Sequence, residues 1–279
     1  MTRRRFLQWI AGGGIAAAAA APAYSYFVER NWVEVNAVTI PMFDGNRKHP
    51  FRGTRILHFS DLHFGYYFDK DALAKVIHRI ERLEPDMICF TGDLVDDGTK
   101  GLIQCVDLMK GLHAPLGKFA VLGNHDYGLE GRNGVADFWK KTGFRLLLNR
   151  HEVVEKDGSR LVVAGVDDLL LGQADVERSL AGTLPEDEVI LLAHEPDYAD
   201  TVSEWPRVKL QLSGHSHGGQ IRLPFVGHLI APPYGKKYVS GLYQADSSQL
   251  AVYTNRGIGT TTLPIRFWCR PELTVLELT

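Results

Sequence analysis

Five polar blocks rich in Asp, His, Asn and Gly each stand directly after a short apolar run. Thr54 to Phe59 runs into Ser60-Asp61-Leu62-His63, and Met87 to Phe90 into Gly92-Asp93-Leu94-Val95-Asp96. Phe119 to Leu122 runs into Gly123-Asn124-His125-Asp126, and Val189 to Ala193 into His194-Glu195-Pro196. Val208 to Leu212 runs into Ser213-Gly214-His215-Ser216-His217-Gly218-Gly219-Gln220. Apolar runs of this length without alternation read as strands buried on both faces. Between them Leu73, Val76, Ile77, Ile80 and Leu83 keep helical spacing until Pro85, and Leu102 to Leu112 reads as a second helix. A polar block at the carboxyl end of a strand is where open α/β sheets hold ligands. The pattern predicts an α/β fold of two stacked sheets with helices outside.

Shorter signals complete the reading. Trp32 to Ile40 alternates as a first strand, Asp44-Gly45-Asn46 is a turn, and Leu161 to Val166 is a further strand. Lys237 to Tyr243, Gln249 to Tyr253 and Leu273 to Leu278 look like antiparallel strands. The 279 residues are 45% hydrophobic, enough to bury a large core and too apolar for a disordered chain. Nothing divides the chain after residue 30, so 31–279 reads as one unit. With 31 basic and 33 acidic residues there is no electrostatic footprint for nucleic acid. The three cysteines, Cys89, Cys105 and Cys269, are too few for a disulfide framework and read as unpaired thiols; nothing supports a Cys105–Cys269 bridge.

Residues 1–30 read as an address or anchor. Thr2-Arg3-Arg4-Arg5-Phe6-Leu7-Gln8 resembles a twin-arginine export signal, with Gln8 in place of the usual lysine. An apolar stretch follows from Trp9 to Ala21, and Ala21-Pro22-Ala23 has the small-X-small form of a signal-peptidase site. Gly12-Gly13-Gly14 argues against an ordinary domain helix, since each glycine costs about 1 kcal/mol there. Phe6 through Val28 carries no charge and is long enough to span a bilayer. A soluble exported protein and an anchored one both fit, placed outside the cytoplasmic membrane and delivered by the twin-arginine machinery.

The residue types in the blocks suit one chemistry. Hydrolysis of a phosphate ester needs activated water and charge on the phosphoryl oxygens, and two metal ions about 3.5–4 Å apart supply both. Oxygen and imidazole ligands suit Mn, Fe or Zn. An Asp-X-His at a strand end can send both side chains to one ion, and a glycine before the ligand allows a sharp turn. Taken singly, Asp61-Leu62-His63 fits a solvated loop, Gly92 to Asp96 a turn with a helix cap, and His194 a satisfied loop histidine. Five such blocks in one order are hard to obtain by chance.

The series Asp-X-His, Gly-Asp-X-X-Asp, Gly-Asn-His-Asp, His, Gly-His-X-His resembles the calcineurin-like metallophosphoesterase signature, from Asp61 to His217. Gly218-Gly219-Gln220, Lys237 to Leu242 and Thr254 to Gly259 extend the likeness, closest to the exported bacterial phosphodiesterases of that superfamily. The resemblance implies a four-layer sandwich of two mixed sheets flanked by helices. It implies that Asp61, His63 and His217 hold one divalent ion, that Asn124, His194 and His215 hold the other, and that Asp93 bridges them. His125 binds neither and stabilises charge or protonates the leaving oxygen, while Asp96 and Asp126 orient a ligand or His125. A hydroxide shared by the ions would attack phosphorus. The implied substrate is a small or lipid-linked phosphoester, with a UDP-2,3-diacylglucosamine-type pyrophosphatase and an inactive binding module on the same fold as alternatives.

Outside the blocks, Arg256 reads as a surface arginine in a hairpin turn, with a phosphate contact as the alternative. His58 and His78 read as structural, and His113, His151 and His228 as surface or loop residues. Asp167-Asp168 fits a helix cap or the border of the site. Gly65 to Lys70, Leu129 to Gly134 and Asp168 to Asp175 read as loops walling the pocket. The apolar, proline-rich stretch Ile221 to Pro233 is expected to pack between two strands, with a lipid-facing lip as the alternative.

Overall fold

The structure, a computed structural model, describes residues 2, 3, 5, 20–43, 45–128, 131–246 and 248–279. Most of the twin-arginine motif and of the apolar stretch behind it, Asp44 of the expected turn and residues 129–130 lie outside the described residues.

Two six-stranded sheets stack face to face. In chain order, the first holds β1 (Glu34–Ile40), β2 (Arg55–Phe59), β3 (Met87–Thr91), β4 (Gly117–Val121) and β5 (Arg145–Leu146). The second holds β6 (Arg150–Lys156), β7 (Ser159–Gly165), β8 (Glu188–Leu192) and β9 (Val208–Ser213). After a small hairpin of β10 (Arg222–Leu223) and β11 (Gly227–His228), β12 (Gly241–Gln244) and β13 (Ala251–Thr254) complete the second sheet, and β14 (Glu272–Leu278) returns to the first. The spatial orders are β1-β14-β2-β3-β4-β5 and β12-β13-β9-β8-β7-β6. Strands β2 to β5 are parallel, as are β7, β8, β9 and β13, so each sheet presents its carboxyl ends along one rim. The tail is not purely antiparallel. Strand β13 runs parallel to β9, and β14 is antiparallel to β2 but parallel to β1.

Alternation along the strands builds three apolar layers. Ile56, Met87, Cys89 and Phe119 face Leu161, Val163, Ile190 and Leu210 between the sheets. Their neighbours Leu57, Phe59, Ile88 and Phe90 face outward, against α1 (Lys70–Glu81), α2 (Val106–Gly111) and α3 (Gly131–Thr142). Val162, Ala164, Val189 and Leu191 face the short helices α4 (Val176–Ser179) and α5 (Ala199–Val202). Both faces of the central strands are thus covered, which is why they read as continuous apolar runs. Helix α1 starts where Asp69 caps Ala72 N, and buries Leu73, Val76, Ile77 and Ile80. Trp139 of α3 is fully buried against Phe90 and Phe144. The segment expected as a loop from Leu129 to Gly134 is, from Gly131, the first turn of α3.

All three cysteines are buried and unpaired. Residues 20–27 are helical, and the end of this helix and the residues after it dock on the body. Ser25 O accepts from Arg266 N, Arg30 donates to Pro264 O, and buried Glu29 accepts from Cys269 N. No helix among the described residues is long and apolar enough to cross a membrane.

Candidate metal centre

All five blocks meet at the shared rim. Main-chain bonds lace the loops together: Asp61 N donates to Gly92 O, His63 N to Asp93 O, and Gly214 N to His194 O. Glycines permit this close approach. Gly92 has φ +89°, and a Cβ there would stand 2.7 Å from Gly123 N and press on His194. A Cβ on Gly214 would press on Asp61, and one on Gly257 would come within 2.7 Å of the Asp61 Cβ. Asp61, His63, Asp93, His215 and His217 also lie in the left-handed region, at φ 46–67°. Each such residue costs on the order of 1–3 kcal/mol and persists only where the surroundings impose it.

Three groups of side chains place ligand atoms within 4.8 Å of one another: Asp61, His63 and His217; Asp93, His194 and His215; and His63, Asp93 and His125. Asp93 belongs to two of them. Its Oδ2 lies 3.2 Å from His194 Nε2 and 3.6 Å from His63 Nε2, while Oδ1 accepts from His125 N at 2.9 Å. Asn124 stands beside this carboxylate in the wall of the cavity described below, its Oδ1 buried without a hydrogen-bond partner among the described residues.

The imidazoles are held so that lone pairs converge. His215 Nε2 donates to Pro233 O at 2.9 Å, which leaves Nδ1 unprotonated and 3.2 Å from His194 Nε2. His194 Nδ1 donates to Thr91 O at 2.7 Å. His63 Nδ1 meets Asp96 Oδ1 at 3.0 Å, and its Nε2 lies 3.0 Å from His217 Nε2. Burial, then the charge on His194, depresses His215 to about 4. Burial with His63 and Arg266 holds His217 well below the usual histidine range. Burial alone would lower His194, but Asp93 and Asp61 outweigh it and hold its proton tightly. Burial likewise favours the acid form of Asp93, yet His194, His63 and His125 hold it well below the usual carboxylate range. Two neutral imidazoles, an ionised carboxylate and an orphaned amide oxygen call for positive charge among them. A proton on His194 supplies one; the donor set fits divalent ions that take oxygen and imidazole ligands.

His125 stands at the edge, 31% exposed. Its Nδ1 donates to Asp96 O at 2.9 Å and its ring meets His63 edge-on. Burial lowers its pKa, but Asp93 and the Asp96 contacts outweigh that and raise it above the ordinary histidine value. Asp96 therefore contacts both His63 and His125. Asp126 touches neither ring; its carboxylate accepts from Gly123 N, Leu94 N and Val95 N and fastens two loops together. Burial and the neighbouring Asp93 raise it to about 7.

Several residues outside the blocks support the cluster. Fully buried Arg266 lies behind His217, 3.4 Å from its Nδ1, and donates to Gly259 O and Cys269 O. Asn255 Oδ1 accepts from Gly257 N and shapes the turn around Asp61. Pro233 O and Arg266 sit in segments with no polar block, and no sequence signal pointed to them. Arg256 is not a surface residue: it pairs with Glu272 and, at 2.8 Å, with Glu34, both remote in sequence. Asp167 accepts from Tyr127 OH, and Asp168 accepts from Leu170 N and Leu171 N as a turn cap.

A cavity of about 370 Å³ opens over the cluster, lined by Asp93, Asn124, His125, His215 and His217 on one side. Its other wall is apolar, from Ile221, Leu229, Ile230, Pro232 and Leu263. Ile221 to Pro233 is not packed between strands as expected. It forms an exposed lip: the β10–β11 hairpin joins neither large sheet, being tied at its base to Phe267, and its tip is left to solvent.

A two-sheet α/β sandwich with buried Asp and His side chains and a half-buried Asn at its carboxyl rim defines a metallohydrolase-type architecture. The chain belongs to the calcineurin-like phosphoesterase family, whose sequence model matches residues 54–219, and is a phosphoester hydrolase. It is 40% identical to "Uncharacterized metallophosphoesterase YkuE" of Bacillus subtilis, over 100% of this chain and 98% of that one. It is 32% identical to "Phosphodiesterase YaeI" of Escherichia coli, over 100% and 99%. It is 27% identical to "UDP-2,3-diacylglucosamine pyrophosphatase LpxG" of Chlamydia trachomatis, over 92% and 94%.

Proposed function

We propose that this chain is a phosphodiesterase working with two divalent ions, Mn, Fe or Zn. The observation that carries the reading is the pair of donor groups on either side of Asp93. Asp61, His63 and His217 would hold one ion, Asn124, His194 and His215 the other, with Asp93 shared. When bound, such ions supply positive charge for phosphoryl oxygens and acidify water for in-line attack. His125 lies against the same cavity and is tethered through Nδ1 to Asp96 O, which leaves Nε2 to meet a substrate oxygen. Its raised pKa suits a proton donor to the leaving oxygen. Asp96 positions His63 and His125 together. A complete donor set speaks against an inactive binding module.

The apolar wall of the cavity and the phosphodiesterase-named relative favour a diester with an apolar substituent over a phosphoprotein. The pyrophosphatase-named relative supports a nucleotide-linked lipid as the second reading. The segment Thr2 to Gln8 and the uncharged stretch after it support export by the twin-arginine route, with residues 31–279 as the hydrolase unit acting outside the cytoplasmic membrane. The test supplies Mn²⁺ to the purified full chain and compares bis(p-nitrophenyl) phosphate, p-nitrophenyl phosphate and a nucleotide diphosphate-linked lipid. Faster turnover of the diester is expected. Turnover of the monoester alone, or of none, would overturn the reading.

A further inference from the structure

The lip over the cavity has no charged side chain from Leu223 to Gly235 other than what His228 can carry. At its tip Phe225 is 109% exposed and Val226 69%, and Ile230 (79%) leads back to the cavity wall. Large apolar side chains grouped in this way mark a surface that meets another phase or partner, at about 25 cal/mol for each Å² removed from water.

The partner is indicated by what lies beside the lip. Gln220, at its base, donates to Thr261 O and Leu263 O, joining it to the loop that closes the cavity. That loop continues to Pro264 and Arg266, which receive the chain arriving from the N-terminus through Arg30 and Ser25. The arriving chain is uncharged from Phe6 to Val28, and its last residues, Phe27 and Val28, are exposed on the body. A stretch of that length and character partitions into hydrocarbon. Across Gly259 and Thr260 from the site, a cavity of about 200 Å³ is lined by Arg30, Lys75 and Arg79. The lip, the stretch from Ser25 to Arg30 and the basic hollow are thus joined through the segment from Gly259 to Arg266.

We propose that this face docks on a bilayer bearing anionic headgroups, the lip inserting its tip while Arg30, Lys75 and Arg79 meet lipid phosphates. Docking of this kind sums burial of apolar area and attraction to anionic lipid. It turns the mouth of the site towards the lipid surface, and it goes beyond the reading of the site without depending on it.

Cys89, Cys105 and Cys269 are buried, so a cysteine introduced by Phe225→Cys can be labelled selectively in the full chain. An environment-sensitive fluorophore there is mixed with vesicles of phosphatidylglycerol and phosphatidylethanolamine. The expected result is a blue shift, quenched by nitroxide lipid. The same label at Asp157→Cys, in the β6–β7 turn at the opposite end of the sheet, stays in water. Adding Val226→Asp to the Phe225→Cys chain abolishes the shift, while both variants hydrolyse bis(p-nitrophenyl) phosphate within about twofold of the parent, because neither side chain reaches the cavity. A label at 225 that remains in water while the chain partitions through its N-terminus would overturn the proposal. So would a shift that arises from self-association without vesicles. Failure of the parent to hydrolyse any phosphodiester would instead sink the reading of the site and leave the docking result standing.

Discussion

His58 and His125 are both histidines near the rim, yet their surroundings push them in opposite directions. His58 is fully buried in β2 with one ring nitrogen on Thr91 Oγ1 and the other unpartnered, and burial lowers its pKa to about 3. Folding therefore excludes a proton that the unfolded chain binds below its ordinary value of 6.5. Its stability contribution is complete above pH 6.5 and is lost as pH falls from there towards about 3. Urea unfolding at pH 7 and pH 5 should show the parent losing about 2 kcal/mol more than His58→Gln, at about 1.4 kcal/mol per pH unit. Parallel losses would refute this. His125 is half-open and gains proton affinity from Asp93 and Asp96. Changing it to Ala should lower kcat by about 10²–10⁴ with little change in KM or in bound metal, the range for loss of a general acid. A fall in metal content of the same size would mean that it acts as a ligand instead.

The elements that place these side chains are strand ends followed by glycine. Gly92 combines φ +89° with a hemmed-in Cα, so Gly92→Ala must move either the loop after β4 or His194. Metal content should fall, and unfolding should show a loss of about 1–3 kcal/mol; an alanine variant with full metal content and unchanged stability would contradict the account. Elements buried on both faces were legible from the sequence: β2, β3, β4, β8 and β9 all appear as apolar runs. Edge strands were legible only in part: β1 shows by its alternation, whereas β5 and β6 do not. Strand β6, Arg150–Lys156, has one face in water and alternates too weakly with its charges to stand out. Helix α3 opens on Gly131 and holds Gly134, so its start carries no cap signal. The lip was misread because apolar composition does not say which side of a segment meets water. Arg256 was misread because its partners lie on β1 and β14, remote in sequence.

At the scale of the whole molecule, two mainly parallel sheets with a common rim bring together residues from Asp61 to His217. The order of the blocks along the chain made that convergence legible, whereas Arg266, Asn255 and the Pro233 carbonyl act through contacts that only the folded tail creates. A cluster whose donors converge should be stabilised by what fills it. Ion saturation at about 100 times Kd adds about 2.7 kcal/mol to unfolding. The melting temperature should therefore rise with Mn²⁺ in the parent and much less in Asp93→Asn. The most direct measurement is metal stoichiometry on the purified full chain, paired with phosphodiester turnover before and after chelation. About two ions per chain are expected, with turnover lost on chelation and restored by Mn²⁺, and neither the second ion nor the turnover in Asp93→Asn. One ion per chain at full activity, or activity that survives chelation, would contradict this.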